Sequence, residues 1–160
     1  MNAKNEKKII GRRELVDFPD LGLYEIEAKI DTGAYTSAIH CSDVHEETTP
    51  DGKRVICFDL LDPSHPAYNH KQLRFENYSL RDIKNSFGDV QERYIIRTKI
   101  RLYEEEHETE FSLSDRSDMK YPVLLGRVLL RRRYVVDVAK KNVAWKSKQK
   151  EQKQKKKKKI

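Results

Sequence analysis

The stretch Ala28-Lys29-Ile30-Asp31-Thr32-Gly33-Ala34 decides how this chain is read. Upstream, Tyr24, Ile26, Ala28 and Ile30 alternate with Glu25, Glu27, Lys29 and Asp31. Period two marks a half-buried strand with Asp31 at its C-terminal end. Gly33 permits a sharp turn directly after it. Asp and Gly are ordinary turn formers, so Asp-Thr-Gly alone reads equally as a plain turn. What lies elsewhere in the chain has to separate a turn from a catalytic loop.

Working outward, the other segments also read as strands. Lys8 to Val16 is a strand bent at Gly11, and Pro19-Asp20-Leu21-Gly22 is a turn. Tyr35 to Cys41 and Val55 to Leu61 are strands separated by a polar loop from Glu46 to Asp51. Asp62 to Lys71, with Pro63 and Pro66, is an irregular insertion, and Leu73 to Lys84 is one further strand. Ser86-Phe87-Gly88-Asp89 signals a hairpin tip. Tyr94 to Tyr103 and Thr109 to Leu113 form a second hairpin turning at Glu104-Glu105-Glu106. Pro122 to Gly126 is a buried strand, Val128 to Arg133 gives one or two helical turns, and Tyr134 to Val138 is a last strand. Strands spaced by about 10 residues with turn signals between them predict an all-β barrel or sandwich.

Charge separates the chain into parts. The net charge is +7, yet residues 146–160 hold nine lysines and one glutamate, so the preceding 145 residues sum to −1. A nearly neutral domain over 8–145 is therefore expected between a flexible N-terminus, 1–7, and a disordered Lys-rich tail, 146–160. Trp145 is expected to cap the core. Two cysteines, Cys41 and Cys57, give no disulfide framework. The polar start lacks a signal-peptide pattern, and no apolar run reaches the roughly 18 residues of a membrane span. These features predict a soluble, cytoplasmic protein.

A second anchor, Val123-Leu124-Leu125-Gly126-Arg127-Val128-Leu129-Leu130, stands far downstream of the first. Together the two resemble the retropepsin-like aspartic proteases, which carry an Asp-Thr-Gly-Ala loop and later a Gly-Arg followed by a short helix. A narrower resemblance rests on Ile9-Ile10-Gly11-Arg12-Arg13-Glu14, Thr36-Ser37-Ala38-Ile39-His40 and Ser114-Asp115-Arg116 as well. It is to the bacterial family labelled as ATP-dependent zinc proteases, grouped with retropepsin-like endopeptidases. Some members are associated with ATP-grasp ligases that add glutamates to a ribosomal protein. The resemblance implies a retropepsin-like closed β-barrel with one short C-terminal helix. It also implies a catalytic Asp31 in an active-site loop with Thr32, Gly33 and Ala34, supported by Gly126 and Arg127. Tyr35 stands where many viral enzymes carry an acid or serine, which leaves the partner of Arg127 open.

The chemistry adds a constraint. Aspartic peptidases need two carboxylates sharing one proton. This chain has one Asp-Thr-Gly, so catalysis requires a two-fold homodimer. Phe87, Gly88 and Asp89 are a candidate flap or an ordinary hairpin tip. No metal and no cofactor is expected. His-Glu-x-x-His and the phosphate-binding Gly-x-x-x-x-Gly-Lys motif are absent. His40 and Cys41 are adjacent and point to opposite faces of a strand, and His65 and His70 fall in a loop without a general base. The expected function is an aspartic endopeptidase acting on a protein or peptide, with a glutamate-rich or glutamylated tail suggested by the resemblance. Its rivals are a non-catalytic adaptor docking on a ligase or the ribosome through the basic tail, and a zinc-dependent hydrolase. The tail also admits contact with RNA through a salt-dependent Coulomb attraction.

Overall fold

The protein is mostly β, and its strands follow the alternation of apolar residues closely. The computed structural model describes residues 6–84, 87–114 and 120–158. The strands are β1 (Lys8–Ile10), β2 (Arg13–Phe18), β3 (Leu23–Ile30), β4 (Ser37–Thr48), β5 (Arg54–Leu60) and β6 (Gln72–Phe75). They continue with β7 (Ser79–Lys84), β8 (Val90–Leu102), β9 (Glu105–Ser114), β10 (Val123–Leu125) and β11 (Tyr134–Val136). Two helices complete the set, α1 (Arg127–Leu130) and α2 (Val143–Lys158).

Strand pairing runs in the order β10-β3-β2-β8-β9-β4-β5-β6, with β7 beside β8. β10 pairs with β3 on one side, in parallel, and with β4 on the other, antiparallel. The pairings from β10 through β3, β2, β8, β9 and β4 thus return to β10. Inside this arrangement Phe18 and Phe111 meet edge to face at 5.3 Å, among Ile26, Ile39, Ile96 and Leu125. Burying such side chains contributes about 1.5–3 kcal/mol each relative to exposure. β1 and β11 form a separate parallel pair.

Several expectations shift. Gly11 divides the first predicted strand into β1 and β2, because the Lys140 backbone packs there: a Cβ on Gly11 would lie 2.4 Å from Lys140 O. Tyr24 was expected inside with Ile26, but a bulge opposite Val16–Phe18 and a positive φ at Glu25 put it outside. The Glu25 N–H donates to Asp17 Oδ1 at 2.8 Å across that bulge. The polar loop expected from Glu46 is strand as far as Thr48. Glu46 accepts hydrogen bonds from Tyr78 (2.6 Å) and Tyr94 (2.8 Å), and Glu47 accepts one from Arg74 (2.7 Å). The strand expected over Leu73–Lys84 is two, β6 and β7. The second hairpin turns at Tyr103 and Glu104, both at positive φ, so only the first of the three glutamates lies in the turn and Glu105 and Glu106 already belong to β9.

The largest departure is the tail. Where disorder was expected from residue 146, α2 continues to Lys158. Lys, Gln and Glu are good helix formers, and lysines toward a helix C-terminus complement its dipole. Its first turn is seated on the domain. The buried Glu14 carboxylate accepts the N–H groups of Val143 (2.9 Å) and Ala144 (3.0 Å), besides that of Gly11 (2.8 Å). Trp145 is half-buried, outside the core cluster it was expected to cap, and donates its indole N–H to Glu25 Oε1 at 3.1 Å. Residues 1–5 and 159–160, parts of the expected flexible ends, lie outside the described residues. No helix among the described residues is long and apolar enough to cross a membrane.

Candidate active site

Parallel pairing of β3 with β10 aligns Ile30 with Leu125, so both strands end at the same place. The Asp31 N–H then donates to Leu125 O at 2.9 Å, fixing the residue just beyond the strand. The chain turns at once. Gly33 N–H donates to Asp31 Oδ1 (3.0 Å) and Ala34 N–H to Asp31 O (3.2 Å). Asp31 is partly exposed, while Thr32 and Gly33 face outward.

The second anchor holds this loop through its main chain. Gly126 N–H donates to Ser37 Oγ (3.0 Å), Arg127 N–H to Ala34 O (2.8 Å) and Val128 N–H to Tyr35 O (3.0 Å). These are donors that a helix start leaves without intrahelical partners. Glycine is required at 126 for space: a Cβ there would lie 2.9 Å from both Ala34 O and Tyr35 O. Asp-Thr-Gly and Gly-Arg, distant in sequence, are therefore one structural unit.

The open partner of Arg127 is also found. Its Nη1 donates to Thr32 O at 3.0 Å, and its guanidinium lies 5.7 Å from the Tyr35 ring centroid. Arg131 lies 5.9 Å from the same ring. Tyr35 thus meets two cations through its π face.

Beside the loop is a depression of about 160 Å³ lined by Tyr35, Thr36, Arg81, Glu110 and Val128. Arg81 and Glu110 form an ion pair across it. The Arg81 guanidinium, with help from Arg97, holds the Glu110 carboxyl below its usual range against the opposing effect of burial. Arg81 and Glu110 also border a larger cavity of about 530 Å³, whose wall includes Arg74, Tyr78 and Arg97. Asp31 lines neither space; Tyr35 and Thr36, just beyond its loop, line the smaller one. Nothing in the sequence singled out Arg81 or Glu110, because register alone brings β7 and β9 to this position.

Phe87, Gly88 and Asp89 lie at the tip of the β7–β8 hairpin; Phe87 is 89% exposed and Gly88 has a φ of +88°. Ser86 of that tip lies outside the described residues, as do Asp115 and Arg116 of the Ser114 motif. β7 of the hairpin is the strand that supplies Arg81 to the depression beside Thr36.

The histidines divide by role. His40 and Cys41 are both buried, since β4 is covered on both faces at that point. The ring nitrogens of His40 lie 3.1 Å from Ser114 O and 2.6 Å from Asp62 Oδ2, tying the 62–71 loop to β4. Two hydrogen bonds from Ser64 and the His40 contact draw the Asp62 carboxyl down to about 2. His65 accepts the Ala67 N–H, and His70 packs against Tyr68. His45, Glu47 and Cys57 bring ligand atoms within 4.8 Å of one another on β4 and β5.

Comparison with known proteins fits this geometry. A family model described as RimB-like, retropepsin-like aspartic endopeptidase RimB, matches residues 9–147. A probable alpha-L-glutamate ligase of Desulfotalea psychrophila is 34% identical over 143 residues. Another of Shewanella halifaxensis is 36% identical over 137 residues. The matches cover 87% and 83% of this chain but only 30% and 29% of the two relatives, so the chain spans under a third of their length. The crystal structure of a Legionella pneumophila protein of unknown function (DUF785) superposes with a TM-score of 0.66 at 23% identity. That match covers 87% of this chain and 99% of the other, and supports the fold.

Proposed function

We propose a peptidase function from one premise: this chain belongs to the RimB-like family of retropepsin-like aspartic endopeptidases. On this reading the protein is an aspartic endopeptidase that works as a homodimer. Asp31 of each copy supplies one carboxylate, and the two share a proton. One acts as base on a water while the other protonates the reacting carbonyl or the leaving amine. The observation that carries this reading is the grip of Gly126, Arg127 and Val128 on the Asp31 loop. An ordinary turn has no need of a second motif built to hold it. Exposed Thr32 and Gly33 suit close approach of two copies, and the returning ring of strand pairings is read as the family's small closed barrel. Thr32, Gly33 and Ala34 shape the loop, Gly126 and Arg127 support it, and Phe87, Gly88 and Asp89 form the flap.

The substrate is a peptide, and glutamate-rich tails are the first class to test, since the relatives are named glutamate ligases. The test is hydrolysis of oligoglutamate-tailed and neutral peptides by the purified protein and by Asp31→Asn, which keeps shape and cannot ionise. Activity is expected only in the unaltered protein and only in the dimer. Equal activity in Asp31→Asn would refute the assignment.

A second reading is favoured by one observation, the alignment of this chain with under a third of each ligase. It makes the domain a non-catalytic module that docks on a ligase, with α2 supplying the contact. It predicts that Asp31→Asn is harmless and that removal of α2 after Trp145 abolishes the association.

A further inference from the structure

Away from Asp31, the hairpin of β4 and β5 gathers three side chains of different chemistry. His45 faces Cys57 across the strand pair, and Glu47 lies two residues along from His45 on the same face. Arg74 of β6 stands opposite Cys57 on the other side. The register slips between Ser42 and His45, and Asp43 within that slip has a φ of +53°. This bulge turns the His45 ring toward its neighbours. His45 Nδ1 lies 2.9 Å from the Asp43 carbonyl oxygen and donates a proton to it. Nε2 faces Glu47 Oε1 at 2.9 Å and, in the metal-free protein, donates to that carboxylate oxygen. The other carboxylate oxygen, Oε2, takes the Arg74 guanidinium at 2.7 Å. His45 and Glu47 are therefore each oriented by a second partner, and a ring nitrogen of His45, a carboxylate oxygen of Glu47 and the Cys57 thiol lie within 4.8 Å of one another.

We propose that His45 Nε2, Glu47 Oε1 and Cys57 Sγ form a zinc site that clamps β4 to β5 across the bulge. The donor set of one imidazole, one carboxylate and one thiolate suits a borderline-soft divalent ion and not calcium or magnesium. A backbone carbonyl holding the far ring nitrogen is the usual second partner of a metal-bound histidine. Zn–N and Zn–S bonds of about 2.0 and 2.3 Å put tetrahedral ligands about 3.5 Å apart. On binding, the Cys57 thiol would therefore close on the other two ligands by up to about an ångström, while Nε2 and Oε1, now 2.9 Å apart, would open by a few tenths. The thiol proton and the His45 Nε2 proton both leave to solvent as the thiolate and the free ring nitrogen turn to the ion, and water takes the fourth position. His45 and Glu47 are 36% and 40% exposed as side chains, which leaves the ion a way in, whereas Cys57 is fully buried. From Ser37 to His45 is roughly 26 Å along β4 at strand rise, so the site stands apart from the Asp31 loop and does not depend on the peptidase reading. The spacing of histidines in sequence missed it because Cys57 comes from the neighbouring strand.

The test is titration of the purified full-length protein, stripped of metal, with Co²⁺ and then Zn²⁺. One cobalt per chain is expected, with a thiolate-to-cobalt charge-transfer band in the near ultraviolet that Zn²⁺ removes. Cys57→Ala is expected to abolish the band, Glu47→Gln to weaken binding at least tenfold, and Cys41→Ala to retain it, with circular dichroism verifying the fold of each variant. Absence of the band in the unaltered protein overturns the proposal without any variant. So does a band that survives in Cys57→Ala or disappears in Cys41→Ala.

Discussion

Replacing Glu14 with glutamine would test how the basic helix is joined to the domain. The carboxylate is wholly buried and accepts three main-chain N–H groups, two on Oε2 from Gly11 and Val143 and one on Oε1 from Ala144. Glutamine keeps the shape but turns one acceptor into a donor. In the better of its two orientations the amide nitrogen faces Ala144 N–H, leaving that buried donor unpaired at about 1–3 kcal/mol. The other two bonds lose their charge assistance, about 0.5–1 kcal/mol each. The helix start also loses a favourable anion worth about 0.5 kcal/mol. The sum is about 4 kcal/mol. Urea denaturation at neutral pH measures it, and far-ultraviolet circular dichroism reports whether α2 frays first. A loss under 1 kcal/mol with α2 unchanged would refute the claim that Glu14 anchors this helix.

Other perturbations probe the loop and the acid response. Gly126→Ala has a permitted backbone conformation (φ −99°) but no room against Ala34 O and Tyr35 O. The loop must move by a few tenths of an ångström, and peptidase activity is expected to fall about 10- to 100-fold with a modest drop in Tm. Arg127→Ala removes the bond to Thr32 O and the contact with Tyr35 while keeping the main-chain grip. Stability should drop by about 1 kcal/mol, and activity should fall less than in Gly126→Ala. Asp62 has a carboxyl lowered from 3.8 to about 2 by Ser64 and His40. The folded state therefore holds this proton less tightly than the unfolded chain. Its contribution, about 2 kcal/mol, is fully present above about pH 4 and is lost as pH falls through about 2. Asp62→Asn should flatten that part of the stability-against-pH curve measured by urea midpoints.

Much of the fold was legible because single-face burial leaves a period-two trace. β3, β5, β8 and β9 were all read within a few residues of their ends. Failures fell where the pattern depends on partners far away. β4 extends through Glu46 and Glu47, which look like loop residues until Tyr78, Tyr94 and Arg74 arrive to pair with them. Tyr24 was misplaced by a bulge that shifts the alternation by one residue. A lysine run looks unstructured in isolation, and Glu14, buried far upstream, supplies a start for α2. Asp31 and Gly126-Arg127 were legible as two motifs, but their contact was not, and neither was Arg81 or Glu110 beside them. Cys57 and His45 likewise become neighbours only through strand register.

The bonds that shape the Asp31 loop join residues 89 and 95 positions apart. Contacts of that span form only after a long loop of chain has closed, which is slow and entropically costly. A polypeptide still emerging from synthesis, or cut anywhere before residue 122, contains the Asp-Thr-Gly triplet without the scaffold that shapes it. On the peptidase reading, hydrolytic competence would appear only once the domain is whole, and topology alone would withhold it from the growing chain.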